Sequence, residues 1–542
     1  MSRPNPALLF GFLVAVIVIL AGVTLAKGGF FIAKHEGDTL HLLQIVFRMA
    51  SGEWPHLDFM TPIGWLAFAP IALFVNLGMG IGHAILFSQI LVAFVLLPAV
   101  FWAGMTRFAG ALAYLFGLVV LVLVMALVHG EAERSVSISM HYNRWAWAVC
   151  YVVIVLALLP PREIRNDRFD GVMIGVGMAA LALLKVTYFA AFAVPVAAAL
   201  TVRGAIGTLR VAVLSGLIAA VAVTILAGAA FWSAYIGDLL AVFGSEVRPQ
   251  PGAGLRTIIG APAYLGGSLT LVMGVILLRQ ADEPVLGLVL LLLTPGFLYV
   301  TYQNFGNDPQ WLMLLAILLL VPSPRPELVN GLGWNMKAAL RLAAMAAIAF
   351  AAPSFLNLAY SPFRHLGLDA GDYQAMLTRT PQHRDLRLPV VRANQVNAGV
   401  ALDGPGSGLE NRARAARREE TLTEFRGELM PDCELQLGLI AWFETIVGDL
   451  EEAGLAEGKR VFAADLFSGH WLFGDLQRLE NGAPWYYGEL AGFDSADYLL
   501  VPLCPTAQDV RKQILEDVAG RGTGLVERRR TALYVLYEIS ER

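Results

Sequence analysis

Carboxylates and histidines gather in one polar stretch near the start of the chain. Residues 34–64 hold four carboxylates and three histidines between two apolar segments, and Glu36 and Asp38 open the stretch. A carboxylate can act as a general base towards a hydroxyl, and two carboxylates also suit a hard divalent cation such as Mg²⁺ or Mn²⁺. Asp38 and Glu36 are therefore candidate catalytic residues, and a divalent metal site at the same pair is an alternative role.

The residues that follow predict the element that positions this pair. Apolar residues recur at helical spacing from Leu42 to Met49, which predicts a short amphipathic helix lying in a membrane interface. Asp38 stands at the start of that helix, so capping is an alternative to catalysis. A zinc helix motif is not met, because His35 and His41 are six positions apart rather than four.

The composition indicates the class of protein that this helix belongs to. Apolar residues make up 57% of the chain and charged residues only 15%, whereas about a quarter of a soluble domain is charged. The first apolar run, Ala7–Ala26, reaches the roughly 20 residues of a spanning helix and is too long for a cleaved signal peptide. The patterns predict a polytopic α-helical membrane domain at 1–360, with about 11 to 13 spanning helices, and a C-terminal soluble α/β domain at 361–542.

Basic loops predict the orientation in the membrane. Loops near 162–168, 203–210, 279 and 325–337 carry arginine and lysine, so they are assigned to the cytoplasm. The predicted outside segments are the opening stretch, the loops 129–144, 233–257 and 303–310, and the C-terminal domain.

This orientation needs an even number of crossings between the opening stretch and the loop that begins at residue 129. Three apolar segments lie there, near 61–77, 83–105 and 111–130. One of them must therefore be split or fail to cross. Residues 171–202 must hold two short spans, with a break near Thr187 or Pro195.

Basic and polar residues near the outer ends of the spans are candidates for substrate binding. Lys185 lies inside an apolar run, where an ionisable group costs about 3 kcal/mol and is a functional candidate; a lysine that snorkels to the interface is the alternative. His141, Tyr142, Asn143 and Arg144 open another span. Arg144 suits bidentate binding of phosphate oxygens, and anchoring in an interfacial aromatic belt is the alternative.

A third cluster stands between two apolar segments. It contains Tyr302, Asn304, Asn307 and Asp308, whose amide and carboxylate groups suit sugar hydroxyls. An ordinary turn is the alternative, although the cluster holds more hydrogen-bonding side chains than a turn needs.

One motif in the opening stretch resembles a known family. An acidic pair, an interfacial helix and a return of the form G-x-x-P-x-x-D-F-x-x-P-x-G is similar to the GT-C glycosyltransferases, across the membrane domain. The return is made by Gly52, Pro55, Asp58, Phe59, Pro62 and Gly64.

The resemblance implies a polytopic enzyme that uses polyprenyl-phosphate sugars as donors. Its catalytic acid would lie in the first outside loop, where Asp38 or Glu36 matches, and Asp38 is favoured at the mouth of the interfacial helix. His56 and Asp58 are expected to contact substrate at the same surface. A soluble domain after the spans is common in such enzymes.

The sequence of the C-terminal domain predicts a small α/β unit but no functional site. Helices are predicted at 437–455 and 506–520, and strands at 459–466, 496–504 and 531–540. Cys433 and Cys504 both fall in this domain. A disulfide is expected if the compartment is oxidising, and two buried free thiols are the alternative.

These patterns and the resemblance together predict an inverting glycosyltransferase of a bacterial inner membrane. It would transfer sugar from a polyprenyl-phosphate donor to an envelope glycan or glycolipid on the outer side, where its C-terminal domain also lies. Arg144 and Lys185 are expected to hold the lipid phosphate, and Asn307 and Asp308 to contact the sugar. Two rival functions are a flippase for lipid-linked sugars and a non-catalytic subunit of an envelope-assembly complex. The expected partners are membrane lipid, donor and acceptor, and no nucleic acid.

Overall fold

A computed structural model describes residues 3–245, 247, 254–304, 307–400, 402, 408–409 and 423–540. The helices are α1 (Pro6–Leu25), α2 (Glu36–Ala50), α3 (Ala69–Asn76), α4 (Ile81–Arg107), α5 (Ala111–Met125), α6 (His141–Leu158), α7 (Asp167–Leu184), α8 (Val186–Val202), α9 (Ile206–Ala227), α10 (Ala230–Phe243), α11 (Leu255–Gly260), α12 (Pro262–Gln280), α13 (Pro284–Gln303), α14 (Leu312–Leu320), α15 (Met336–Leu366), α16 (Val390–Asn394), α17 (Leu439–Glu452) and α18 (Gln508–Gly520).

Strands are short and lie mainly in the C-terminal part. They are β1 (Phe30–Phe31), β2 (Tyr373–Ala375), β3 (Leu386–Pro389), β4 (Asn397–Val400), β5 (Glu424–Phe425), β6 (Glu428–Leu429), β7 (Cys433–Leu437), β8 (Val461–Ala463), β9 (Tyr498–Pro502), β10 (Gly524–Arg530) and β11 (Tyr534–Ser540).

Long apolar helices dominate the first part of the chain. Among the described residues, α1, α4, α9, α12, α13 and α15 are long and apolar enough to cross a membrane. Three more apolar helices, α5, α8 and α10, have 15, 17 and 14 residues. This architecture is compatible with a polytopic membrane protein, although six helices of sufficient length are fewer than the sequence predicted.

The segment 61–77, one of the three apolar segments before residue 129, contains no helix long enough to span a membrane. It forms the end of the return loop, which we define as residues 52–67 and which closes with a 3-10 turn at Trp65–Ala67, followed by the eight-residue helix α3. At 1.5 Å per residue α3 is about 12 Å long, far short of the roughly 30 Å hydrocarbon core of a bilayer. The predicted break in 171–202 is also present, because α7 ends at Leu184 and α8 begins at Val186.

The C-terminal part contains the predicted alternation of strands and helices. Its largest sheet has the order β10-β11-β9-β8, in which β8 and β9 are parallel and the other pairs are antiparallel. Strand β9 is central, and all five of its residues are buried. A disulfide joins Cys433 at the start of β7 to Cys504 just after β9, so the expected pairing is present. Helix α15 continues to Leu366, past the boundary predicted at residue 360.

The C-terminal part covers the opening stretch of the chain. Strand β1 pairs in parallel with β3, and the polar side of α2 is bonded to the loop that follows the 3-10 turn at His470–Leu472. Gln44 Nε2 donates to the Pro484 carbonyl at 2.9 Å, and Arg48 donates to the Leu479 carbonyl at 2.8 Å. Helix α2 is therefore enclosed by protein along most of its length rather than open on its polar face.

Candidate functional site

Asp38 lies in the first turn of α2 and is half-buried. The residue that precedes the helix is His35, and its side chain makes no capping bond. The Asp38 carboxylate instead accepts a hydrogen bond of 2.6 Å from the Ser139 hydroxyl. A negative charge in the first turn is stabilised by the helix dipole. Asp38 is thus held by a residue from the distant 129–144 loop and does not serve as the cap.

His35 extends the contacts of Asp38 into the same loop. Its Nδ1 lies 3.0 Å from the Ser137 hydroxyl, which also accepts the backbone N–H of Ser139 at 3.1 Å. The His35 ring lies beside that of His129, with centroids 5.0 Å apart. Burial lowers the pKa of His35, and the nearby Asp38 carboxylate opposes part of that change.

A series of amide side chains continues from His129 towards Lys185. The Asn307 amide donates to the His129 carbonyl at 2.8 Å, and the Asn143 amide donates to Asn307 Oδ1 at 2.7 Å. Lys185 Nζ then donates to Asn143 Oδ1 at 3.1 Å and also to Asn304 Oδ1. The three asparagines therefore join the ammonium group of Lys185 to the loop that contacts Asp38.

These hydrogen bonds, together with the ring contact between His35 and His129, form one network with a carboxylate at one end and a cation at the other. It draws on the opening stretch, the 129–144 loop, the break between α7 and α8, and the loop after α13. We name it the polar network, and its members are His35, Asp38, His129, Ser137, Ser139, Asn143, Lys185, Asn304 and Asn307. Tyr142 adjoins it, because Lys185 Nζ lies 5.4 Å from the centre of the Tyr142 ring.

The break in the helices gives Lys185 its place in the network. Lys185 is in an extended conformation, with φ of −158° and ψ of 109°, between α7 and α8. The Gly64 N–H donates to the Leu184 carbonyl at 3.2 Å. A Cβ atom at Gly64 would overlap the carbonyl of Leu183. The absence of a side chain at Gly64 therefore lets the return loop approach the backbone that carries Lys185.

An apolar groove lies next to this break. Its volume is about 570 Å³ and it is lined by residues of α7, α8, α9 and α10, including Leu183 and Val186 on either side of Lys185. Trp232 and Tyr235 of α10 also line it. The cationic end of the polar network therefore adjoins an apolar groove.

Arg144 and His141 point towards protein atoms. The guanidinium group of Arg144 is fully buried and donates to the backbone carbonyls of Ala126, Val128 and His129. His141 is also buried, and its Nε2 lies 2.8 Å from the Ala67 carbonyl. Arg144 therefore organises the loop after α5, and His141 contacts the 3-10 turn of the return loop.

The last cluster predicted from the sequence is divided by the structure. Asn304 and Asn307 belong to the polar network, whereas Tyr302 lies in the last turn of α13, half-buried. Asp308 accepts a hydrogen bond from the backbone N–H of Ala132 and interacts with the Ser354 side chain, and burial raises its pKa to about 6. Asp308 is therefore held between the 129–144 loop and α15.

Glu36 faces the C-terminal part instead of the polar network. Both of its carboxylate oxygens accept hydrogen bonds from Arg392, at 2.8 to 3.2 Å. Asp38 is engaged by Ser139, and the described residues contain no group of three or more His, Cys, Asp or Glu side chains that could hold a metal ion. Glu36 and Asp38 are held by different partners, so these two carboxylates as positioned do not fit a divalent ion. No reaction step proposed below involves a metal.

His56 and Asp58 make contacts elsewhere. His56 Nδ1 lies 2.8 Å from Asp238 Oδ2 in α10, and Asp238 also accepts the Thr61 N–H at 3.0 Å. Asp58 is exposed and accepts the Trp54 N–H at 2.6 Å. His56 thus joins the return loop to α10, and Asp58 holds a turn within the loop.

Sequence reasoning missed His35, His129, Ser137 and Ser139 as site residues. Their one signal in the sequence was position, since both segments that contain them were predicted to face outside. Serine and histidine in a loop are too common to be singled out without knowing their neighbours. Comparison with known protein families found no match, and a search of curated proteins found no relative of this chain.

Proposed function

We propose that the chain is an integral membrane glycosyltransferase of the GT-C type. It transfers a sugar from a polyprenyl-phosphate donor to a glycan or lipid acceptor of the cell envelope. In this proposal the protein has about 11 to 13 membrane crossings, sits in a bacterial inner membrane, and exposes its C-terminal domain and polar network on the outer side.

The polar network beside the apolar groove carries this proposal. A polyprenyl phosphate has an apolar chain and an anionic head. Its binding site therefore needs an apolar groove next to a cationic group. The groove of α7 to α10 is lined by Leu183 and Val186, close to Lys185 in the chain, and Lys185 supplies the positive charge. Asp38 at the other end of the network supplies the carboxylate that an acceptor hydroxyl requires.

The reaction is a single displacement that inverts the anomeric carbon. Asp38 takes the proton of the acceptor hydroxyl while the hydroxyl oxygen forms a bond to that carbon. The bond from the carbon to the phosphate oxygen breaks, and its electron pair leaves with the polyprenyl phosphate. Lys185 stabilises the negative charge that develops on the phosphate. Asn143 and Asn304 are positioning residues, because they hold the ammonium group of Lys185.

The experiment combines purified protein in lipid nanodiscs with radiolabelled polyprenyl-phosphate hexoses and pentoses and an envelope extract as acceptor. We expect transfer by the wild type and a loss of about 100-fold or more in Asp38→Asn, since a general base contributes on that order. Asp372→Asn, at an exposed carboxylate of the C-terminal domain, is the control and should retain full activity.

The same labelled donors, given to the protein reconstituted in sealed vesicles, separate the two rivals. A flippase would move the labelled lipid across a vesicle membrane without transferring its sugar, and an assembly subunit would do neither. A folded Asp38→Asn protein that transfers sugar at the wild-type rate would contradict the proposed role of Asp38.

A further inference from the structure

A second cleft lies at the other end of α2 from Asp38. Its volume is about 790 Å³, within the range of small-molecule sites. Residues of α2, the return loop and the C-terminal domain line it together. The residues that define the cleft are Arg48, Glu53, Asp58, Arg460, Trp471, Arg478, Glu480 and Asn481.

The positive and negative charges of this cleft are equal in number. It contains three arginines and three carboxylates. Glu53 is bound by Arg48 at 2.7 Å and by Arg478 at 2.9 Å, and Glu480 is bound by Arg460 at 2.6 Å. Because each guanidinium group already has a carboxylate partner, the cleft offers no excess positive charge to a phosphate. A neutral ligand with many hydroxyl groups suits it better, since both carboxylates and guanidinium groups can share hydrogen bonds with hydroxyls.

An aromatic ring stands in the wall of the cleft. Trp471 is half-buried, and the guanidinium carbon of Arg478 lies 5.6 Å from its ring centre. A tryptophan combines a large apolar face with polar surroundings, which is what the C–H face and hydroxyl edge of a sugar ring require. Charged side chains and an aromatic ring thus occur together on one concave surface.

The two walls of the cleft are fixed to each other by backbone bonds. Asn481 N–H donates to the Asp58 carbonyl at 3.2 Å, and Met60 N–H donates to the Gly482 carbonyl at 3.2 Å. The return loop and the C-terminal segment therefore form one preorganised surface, which reduces the ordering cost of binding.

Helix α2 connects this cleft to Asp38. Arg48 follows Asp38 by ten positions on the same helix, which corresponds to about 15 Å along the axis. A ligand bound in the cleft therefore lies at a distance from Asp38 that only an extended molecule, such as an oligosaccharide, spans.

We propose that this cleft binds the distal sugar units of a neutral oligosaccharide acceptor. The binding of carbohydrate is a property of the cleft alone, whereas its role as an acceptor subsite rests on the proposed transferase function. The proposal narrows the acceptor from an envelope glycan or lipid to a chain of several sugars.

The test measures carbohydrate binding without any donor, by isothermal titration calorimetry on the full-length protein in nanodiscs. The probes are mannotriose, maltotriose and N,N′,N″-triacetylchitotriose, with inorganic phosphate as a competitor. We expect at least one trisaccharide to bind, with affinity at least tenfold lower in Trp471→Ala and in Glu480→Gln. Trp334→Ala, at an exposed tryptophan that does not line the cleft, is the matched control and should bind as the wild type does.

Each outcome of the binding experiment either supports or contradicts the binding of a neutral oligosaccharide in the cleft. Glu480 is exposed, so Glu480→Gln keeps the test valid if Trp471→Ala does not fold. Failure of all three trisaccharides to bind, wild-type affinity in both cleft variants, or displacement of the sugar by phosphate would overturn the proposal. Asp38→Asn should bind the sugar normally. Trisaccharide binding by a wild-type protein that transfers sugar from none of the labelled donors would refute the transferase function but would still support carbohydrate binding in the cleft.

Discussion

Arg392 holds the carboxylate of Glu36 with two of its nitrogens, Nε and one terminal nitrogen, at 2.8 to 3.2 Å. The two residues are 356 positions apart, and their contact joins the first turn of α2 to the C-terminal domain. The Glu36 side chain is 9% exposed and that of Arg392 is 33% exposed. This ion pair therefore stabilises the end of α2 that carries Asp38. The buried Glu36 carboxylate needs the positive charge of Arg392 to compensate for its loss of hydration.

Breaking this pair should loosen the attachment of the C-terminal domain. We expect Arg392→Ala to lower the free energy of unfolding by about 1–2 kcal/mol, less than for a fully buried pair because Arg392 is partly in water. Glu36→Gln should cost less, and the double variant should cost less than the sum of the two. Thermal unfolding in detergent measures this. Arg165→Ala, which breaks an exposed pair with Asp167, is the control, and equal losses in Arg165→Ala and Arg392→Ala would contradict the assignment.

Gly64 should tolerate no side chain, because its backbone packs against the carbonyl of Leu183. We expect Gly64→Ala to destabilise the protein by about 2–4 kcal/mol, since the overlapping atom belongs to backbone and cannot rotate away. The same change should lower transfer activity, because it displaces the segment that carries Lys185. Gly22→Ala in α1 is the control, because a Cβ atom there meets nothing within 4 Å. Similar unfolding temperatures for the two variants would show that the return loop does not rest on α7.

Lys185 and Arg144 should respond differently to loss of charge. Lys185→Met should raise the KM for the polyprenyl-phosphate donor by about tenfold or more, since a charged hydrogen bond contributes about 1.5–3 kcal/mol. Arg144→Met should instead lower stability by about 3 kcal/mol, because three backbone carbonyls lose their donor. Steady-state kinetics and thermal unfolding of both variants distinguish the two roles. A rise in KM with unchanged stability in Arg144→Met would restore Arg144 as a phosphate ligand.

Local patterns in the sequence were sufficient for much of the fold. Helix α2 follows from apolar spacing, and the break at Lys185 lies two positions from one of the two predicted places. The two helices α17 and α18 and the strands β8, β9 and β11 lie where the alternation of periods predicted them, whereas the edge strand β10 and strand β7 were not predicted. The number of spans was less accessible, because hydropathy does not distinguish α3 and its return loop from a short spanning helix.

The candidate site could be predicted from the sequence only in part, for a different reason. Asp38, Asn143 and Lys185 could be selected by residue type and side of the membrane, yet their connection depends on pairs more than 40 positions apart. For the same reason, the sequence did not reveal that Arg144 donates to the carbonyls of the loop after α5. A buried arginine that binds loop carbonyls and one that faces a ligand have the same sequence signature.

The Cys433–Cys504 disulfide should contribute measurably to the stability of the C-terminal domain. Its cysteines are 71 positions apart, and the chain-entropy treatment gives an upper value of about 4 kcal/mol for such a loop. We expect Cys433→Ser/Cys504→Ser to unfold at lower temperature, and the wild type to resist alkylation at both cysteines until a reductant is added. Cys150→Ser, at the buried free thiol, controls for loss of a thiol. Alkylation of both cysteines in unfolded protein without reductant would contradict the bond.

Asp308 should make stability depend on pH between about 4 and 6. Burial raises its pKa in the folded protein from 3.8 to about 6, so the folded state binds the proton more tightly than the unfolded state does. Its contribution to stability is therefore fully present below pH 3.8, falls as the pH rises and is lost above about 6. We expect Asp308→Asn, which cannot ionise, to exceed the wild type in stability by about 1–2 kcal/mol at pH 7.5 and by much less at pH 4.

The measurement for Asp308 is the difference in unfolding temperature between the two proteins from pH 4 to 8. Asp372→Asn, at an exposed site, should stay within about 0.5 kcal/mol of the wild type throughout. A difference between Asp308→Asn and wild type that is the same at pH 4 and pH 7.5 would mean that Asp308 does not titrate in this range.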